Sequence, residues 1–165
     1  MSSPTERLEL YPQNQLSHVV GVRTPQLWEL TVAQALQQIA ERFPERDAAV
    51  FVEQGIRWSW AELVREVDAF AGGLHRLGLR KGDRVGIWSP NRSEWLVTQF
   101  ATARLGIVLV NINPAYRLSE LEYALNKVGC KALVTAVQFK SSDYLGMLRT
   151  LAPELDHCRA GELSA

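Results

Sequence analysis

The stretch "VGIWSPNRSEWL", residues 85–96, holds the side chains with the most evident chemical use in this sequence. An apolar run suited to a buried strand leads into Ser89, Pro90, Asn91, Arg92 and Ser93, and a helix-like segment follows. The turn between a strand and a helix is a common seat for phosphate, because the first amides of a helix lack partners within it. The residue types argue against that use here. "SPNRS" contains no glycine to let the backbone close round an anion, and Pro90 removes one amide donor outright. Asn91 followed by Glu94 reads as a capping box with asparagine as the cap. Such a box satisfies the amides internally and sets a carboxylate where a phosphate would sit. A helix terminus offers an anion about 0.3–1 kcal/mol when exposed and up to about 2 kcal/mol when partly buried. Micromolar binding needs about 8 kcal/mol. The turn is therefore expected to be a structural cap.

The remaining candidates are read as structural. Cys130 and Cys158 form no C-x-x-C pair and have no metal spacing, so a disulfide framework is not expected and a reducing compartment is. Cys130, between a glycine and a strand-like run, reads as a small packed residue rather than a nucleophile. His18, His75 and His157 are far apart in sequence and lack metal-like neighbours. Trp58 and Trp60 suit core and cross-strand packing better than a ligand platform. No G-x-x-x-x-G-K-[ST], G-x-G-x-x-G or G-x-S-x-G occurs. No catalytic, cofactor-binding or metal-ligating residue is assigned on these grounds.

The elements that position these residues follow from periodicity. Thr31 with Gln34, and Ser59 with Glu62, are capping boxes that open two helices. Val32, Ala35, Leu36, Ile39 and Phe43 repeat at helical spacing, and Pro44 stops the first helix. Leu63, Val64, Val67, Phe70, Ala71, Leu74 and Leu77 line one face of the second, and Gly78 closes it. Gly72 and Gly73 inside that helix each cost about 1 kcal/mol relative to alanine, which predicts close approach of its backbone to a sheet. Between the two helices, 48–52 and 56–60 read as a hairpin turning at Gln54-Gly55. "RVGIWS", "GIVLVNIN" and "KALVTA" then read as core strands. Helices over 92–104, from a Ser119/Glu122 cap, and over 141–155 alternate with them. Strands alternating with helices predict a parallel sheet built from crossovers.

Composition narrows the class. The 165 residues are 47% hydrophobic and 22% charged, with 18 basic and 18 acidic side chains. That balance excludes the basic excess of a nucleic-acid binder. The densest basic stretch, "HRLGLRKGDR" at 75–84, reads as a solvated helix end and turn. No apolar run approaches the roughly 20 residues of a membrane span, and residues 1–26 are polar and proline-bearing, read as an extended arm. A cytoplasmic protein is the expectation.

Together these segments resemble the N-terminal region of the ATP-dependent acyl-activating enzymes, which include acyl-CoA synthetases, firefly luciferase and the adenylation domains of peptide synthetases. "WSWAEL" matches the entry to the family's first long helix, and "GLRKGDRVGIWSPNRSEW" its Gly-Asp-Arg-Val strand and Asn-bearing turn. "ATARLGIVLVNINPAYRLSELEYAL" matches its Gly-to-Asn-Pro strand and the helix after it. The resemblance covers roughly residues 24–155, and "NPAYRLSELEYALNKVGCKALV" is most similar to fatty-acyl-CoA synthetases, especially the medium-chain branch.

The resemblance implies an α/β fold. The chain would be a partial N-terminal subdomain of the acyl-CoA synthetase fold, with a mostly parallel sheet of three or more strands, flanking helices and a β-hairpin. Its implied organisation is an arm at 1–26, the subdomain at 27–155 and a tail at 156–165. It also implies a parent reaction in which ATP, with magnesium, activates a carboxylic acid as an acyl-adenylate. Coenzyme A then takes the acyl group, releasing AMP. The family's Pro-Lys-Gly phosphate loop, aromatic-x-x-Thr-Glu motif, ribose-binding aspartate and C-terminal lysine match nothing before Ala165. The chain alone is expected to bind no ATP, magnesium or CoA and to be inactive. An alternative is a non-catalytic module that dimerises, or binds a partner carrying the missing lobe, through an exposed apolar sheet edge. A small flavodoxin-like or receiver-like domain is less favoured, because a receiver needs acidic residues at strand ends and only Asp47 and Asp83 flank strands, both at entering ends.

Overall fold

Three apolar runs make the sheet, and the burial of β3 shows why. In the computed structural model, residues 24–159 and 162–163 are described. β3 (Arg84–Trp88) is buried from Val85 to Trp88, as befits a parallel strand covered on both faces. β4 (Val108–Ile112) and β5 (Ala132–Thr135) pair with it in parallel, in the order β4-β3-β5. Alternation sorts the side chains. Val85, Ala132 and Val134 join one core, and Trp88, Val110, Ile112 and Leu133 join the other.

Helices supply both covering layers. α1 (Val32–Arg42), α2 (Trp60–Arg76) and α3 (Ser93–Leu105) bury Leu36, Leu63, Val67, Ala71, Leu74, Val97 and Ala101 with the first core. α4 (Leu118–Val128) and α5 (Tyr144–Leu151) bury Leu121 and Tyr144 with the second. An antiparallel hairpin of β1 (Asp47–Phe51) and β2 (Ile56–Ser59) leads into α2. A 3-10 turn at Val52–Gln54 and Gly55, at φ +65°, join its strands. Glycine suits that left-handed position because it has no Cβ to clash. Trp58 and Trp60 are half-buried against the first core, and Phe51 meets Trp58 edge-on at 6.0 Å. β6 (Gln138–Phe139) and β7 (Ser142–Asp143) form a small hairpin before α5, and a 3-10 turn at Pro153–Asp156 follows it.

Two compact units divide at Leu30, the second being Thr31–Ala165. Residues 24–30 contain no helix or strand, and most of the expected arm, 1–23, lies outside the described residues.

Three local expectations are corrected. Gly72 and Gly73 do not mark close approach. A Cβ built at Gly73 meets nothing within 4 Å, and at Gly72 only the Arg76 guanidinium at 3.4 Å. The glycine that packing requires is Gly86, where a Cβ would stand 2.9 Å from Leu133 Cδ1 and 3.1 Å from Ile112 Cδ1. The helix expected from a Ser119/Glu122 cap starts earlier, at Leu118. The Glu120 carboxylate accepts from the amide of Arg117, its N-cap, at 2.8 Å. The preceding turn sets that start, because Asn113 Oδ1 accepts from the Ala115 amide and Asn113 O from the Tyr116 amide. The third correction is the cap of α3.

Candidate functional site

The C-terminal ends of β3 and β5 open on the turn 89–92, the place where open α/β sheets commonly bind ligands. Ser89 is buried and its hydroxyl donates to the Pro90 carbonyl at 3.0 Å. Thr135 Oγ1 lies 3.1 Å from the Trp88 carbonyl oxygen, tying the end of β5 to that of β3. Below them Trp88 stacks on Tyr144, with ring centroids 3.6 Å apart and planes 11° from parallel. The Trp88 indole donates to the Asn113 carbonyl at 3.1 Å, and the Tyr144 hydroxyl donates to the Pro114 carbonyl. The turn that follows β4 is therefore anchored to one buried aromatic pair, whose Trp88 ends β3.

The cap of α3 does not come from Asn91. Its N-cap is Arg92, whose side chain makes no capping bond, and Asn91 lies one residue outside. The partner of the first helical amide comes from the hairpin. Gln54 Oε1 accepts from the Ser93 amide at 2.8 Å, and Gln54 Nε2 donates to Ser93 Oγ at 3.0 Å and to Glu94 Oε2 at 3.1 Å. Arg92 completes the cluster, donating from Nε to Glu94 Oε2 at 3.2 Å and from its terminal nitrogen to Oε1 at 3.1 Å. The Arg92 guanidinium, helped by the Glu94 backbone and by Gln54, holds the Glu94 carboxyl at about 2, well below its usual range, against partial burial. The same pairing raises Arg92. The Trp95 amide donates to the Arg92 carbonyl at 3.1 Å.

An apolar cleft of about 480 Å³ runs from this cluster between α2 and α3, lined by Trp58, Phe70, Val97 and Val134, with Glu66 and Glu94 among its polar side chains. The sequence offered no sign of Gln54, which stands 39 residues from Ser93 and resembles an ordinary turn residue.

The other sequence candidates are scattered. Cys130 is half-buried, and burial pushes its thiol up against the opposing charge of Arg84. His75 and His157 are exposed, and His18 lies outside the described residues. Asp83 stands at the opposite end of the sheet, before β3. The Arg80 amide and then Lys131 hold its carboxyl below the usual range. Among the described residues, no group of three or more His, Cys, Asp or Glu side chains is placed to hold a metal ion. Among them too, no helix is long and apolar enough to cross a membrane.

Comparison with known proteins places this arrangement. The mitochondrial medium-chain acyl-CoA ligase ACSF2 of Rattus norvegicus is 46% identical over 154 residues, covering 93% of this chain and 25% of the relative. A fatty acyl CoA synthetase of Mycobacterium tuberculosis superposes with a TM-score of 0.69 at 25% identity, over 81% of this chain and 25% of that one. The N-terminal domain of FACL13, also from Mycobacterium tuberculosis, superposes with a TM-score of 0.63 at 25% identity, over 82% of this chain and 38% of that one. The chain thus spans about a quarter of the length of the curated relatives it matches. Residues 36–163 match the AMP-binding enzyme family, and the chain belongs to that family.

Proposed function

We propose that this chain is the N-terminal portion of a fatty-acyl-CoA synthetase, with residues 27–155 as its first α/β subdomain. The parent would join a carboxylic acid to coenzyme A with ATP, through an acyl-adenylate, and medium-chain acids are the favoured substrates. One observation carries the reading: 46% identity, over 93% of this chain, to a relative whose name states medium-chain acyl-CoA ligase.

Within that reading the chain is scaffold. The residues at the mouth of the sheet do not fit a triphosphate. The first amide of α3 is taken by Gln54, the Glu94 carboxylate occupies the anion position, and Pro90 offers no donor. No step of the reaction is assigned to them, and no residue of this chain is proposed as a ligand of ATP, magnesium or CoA. The chemistry these would supply belongs to polypeptide outside this chain. A cytoplasmic location is proposed for this chain, whereas the ACSF2 ligases it resembles are named as mitochondrial.

The test is a pair of assays with ATP, magnesium and octanoic or decanoic acid. The isolated chain should release no pyrophosphate. A chimera in which it replaces the matching quarter of the rat ligase should form acyl-CoA. Turnover by the chain alone, or a folded but inactive chimera, overturns the reading.

A further inference from the structure

β4 is the least protected strand of the sheet. Among the described residues no strand pairs with its outer edge. Edge strands are usually guarded by charge, proline or a bulge, and residues 107–112, "IVLVNI", carry no charge or proline, while Val108–Ile112 pair with β3 in unbroken register. The Val108 amide donates to the Asp83 carbonyl, so the amides and carbonyls of Leu109 and Asn111 point the other way, outward. Val108 is 51% exposed. Beside this edge lies a groove of about 430 Å³, lined by Val110 and Ile112 on β4 and by Glu120, Tyr123 and Lys127 on α4. Tyr123 is 67% exposed. Among the described residues neither Glu120 nor Lys127 makes an ion pair, and they flank Tyr123 on one face, about a turn to each side.

We propose that this face seats a second copy of the chain, with β4 antiparallel to its counterpart about a two-fold axis at Val110. Leu109 then exchanges both backbone hydrogen bonds with Asn111 of the other copy, and Asn111 with its Leu109. Val108 is covered by the second Ile112, and the two Tyr123 rings fill the groove. Glu120 meets the second Lys127, and Lys127 the second Glu120. A two-fold interface requires such self-complementarity, and α4 has it, with opposite charges placed evenly about Tyr123 and Ala124. Among the described residues β5 is the other unpaired edge, and a strand following α5 by a right-handed crossover would pair beside it rather than beside β4.

Sedimentation equilibrium of the full chain over a concentration series tests this. The expected species has twice the 18.5 kDa mass of the chain. Val108→Lys should leave a monomer. Lys127→Glu, which turns two attractive pairs repulsive, should weaken the dimer about ten-fold. The double exchange Glu120→Lys with Lys127→Glu should restore the unmodified constant, even though it loses the Glu120 contact to the Arg117 amide. Three results overturn the proposal: a monomer at every concentration, a dimer indifferent to Val108→Lys, or a double variant no tighter than Lys127→Glu. The charge exchange stays decisive should Val108→Lys misfold.

Discussion

Three glycines show what a single atom decides in this chain. Gly86 lies in β3 under the second core, where a methyl group would press on Leu133, Ile112 and the Cys130 sulfur at 3.3 Å. Replacing it with alanine should destabilise the chain by about 1–3 kcal/mol, the usual cost of overpacking. Gly73 faces open space within a helix, and alanine there should stabilise by about 0.5–1 kcal/mol. Urea unfolding midpoints of the two variants check this, and equal destabilisation by both contradicts it. The sequence pointed to the wrong pair because a helical glycine has a known cost and so attracts an explanation. Gly72 and Gly73 leave that cost uncompensated. The better signal was Gly86, a glycine within an apolar strand run, which marks close approach.

At the scale of elements, local signals were legible and distant ones were not. The boxes Thr31/Gln34 and Ser59/Glu62 form as read, because both halves of each lie within one turn of helix. The cap of α3 is not local. It arrives from the β1–β2 hairpin as Gln54, so it depends on how the hairpin packs and leaves no trace near Asn91. The Trp88–Tyr144 stack is equally remote in sequence, and β6 and β7 are too short to show alternation. Removing the distant cap should therefore matter more than removing the near one. Gln54→Ala should lower stability by about 0.5–2 kcal/mol and speed hydrogen exchange at the Ser93 amide. Asn91→Ala should change neither. Denaturant titration with amide exchange of both variants reads this directly, and a larger effect at Asn91 would restore the capping box read from sequence.

Across the whole molecule, the parallel sheet with helices on both faces could be read from alternating runs, because strand and helix periods are set by burial. Strand order was harder to read. Only the pairing of β5 with β3 shows that the chain crosses β3 between its second and third core strands. The mouth of this sheet is proposed to carry none of the phosphate chemistry, because Gln54, Arg92 and Glu94 hydrogen-bond among themselves there. Titrating the isolated chain with magnesium-ATP in a calorimeter tests that most directly. The expected result is no saturable binding tighter than about millimolar, equivalent to about 4 kcal/mol. A micromolar constant that disappears on Arg92→Ala would contradict it, because it would place a working phosphate grip on the turn assigned here to structure alone.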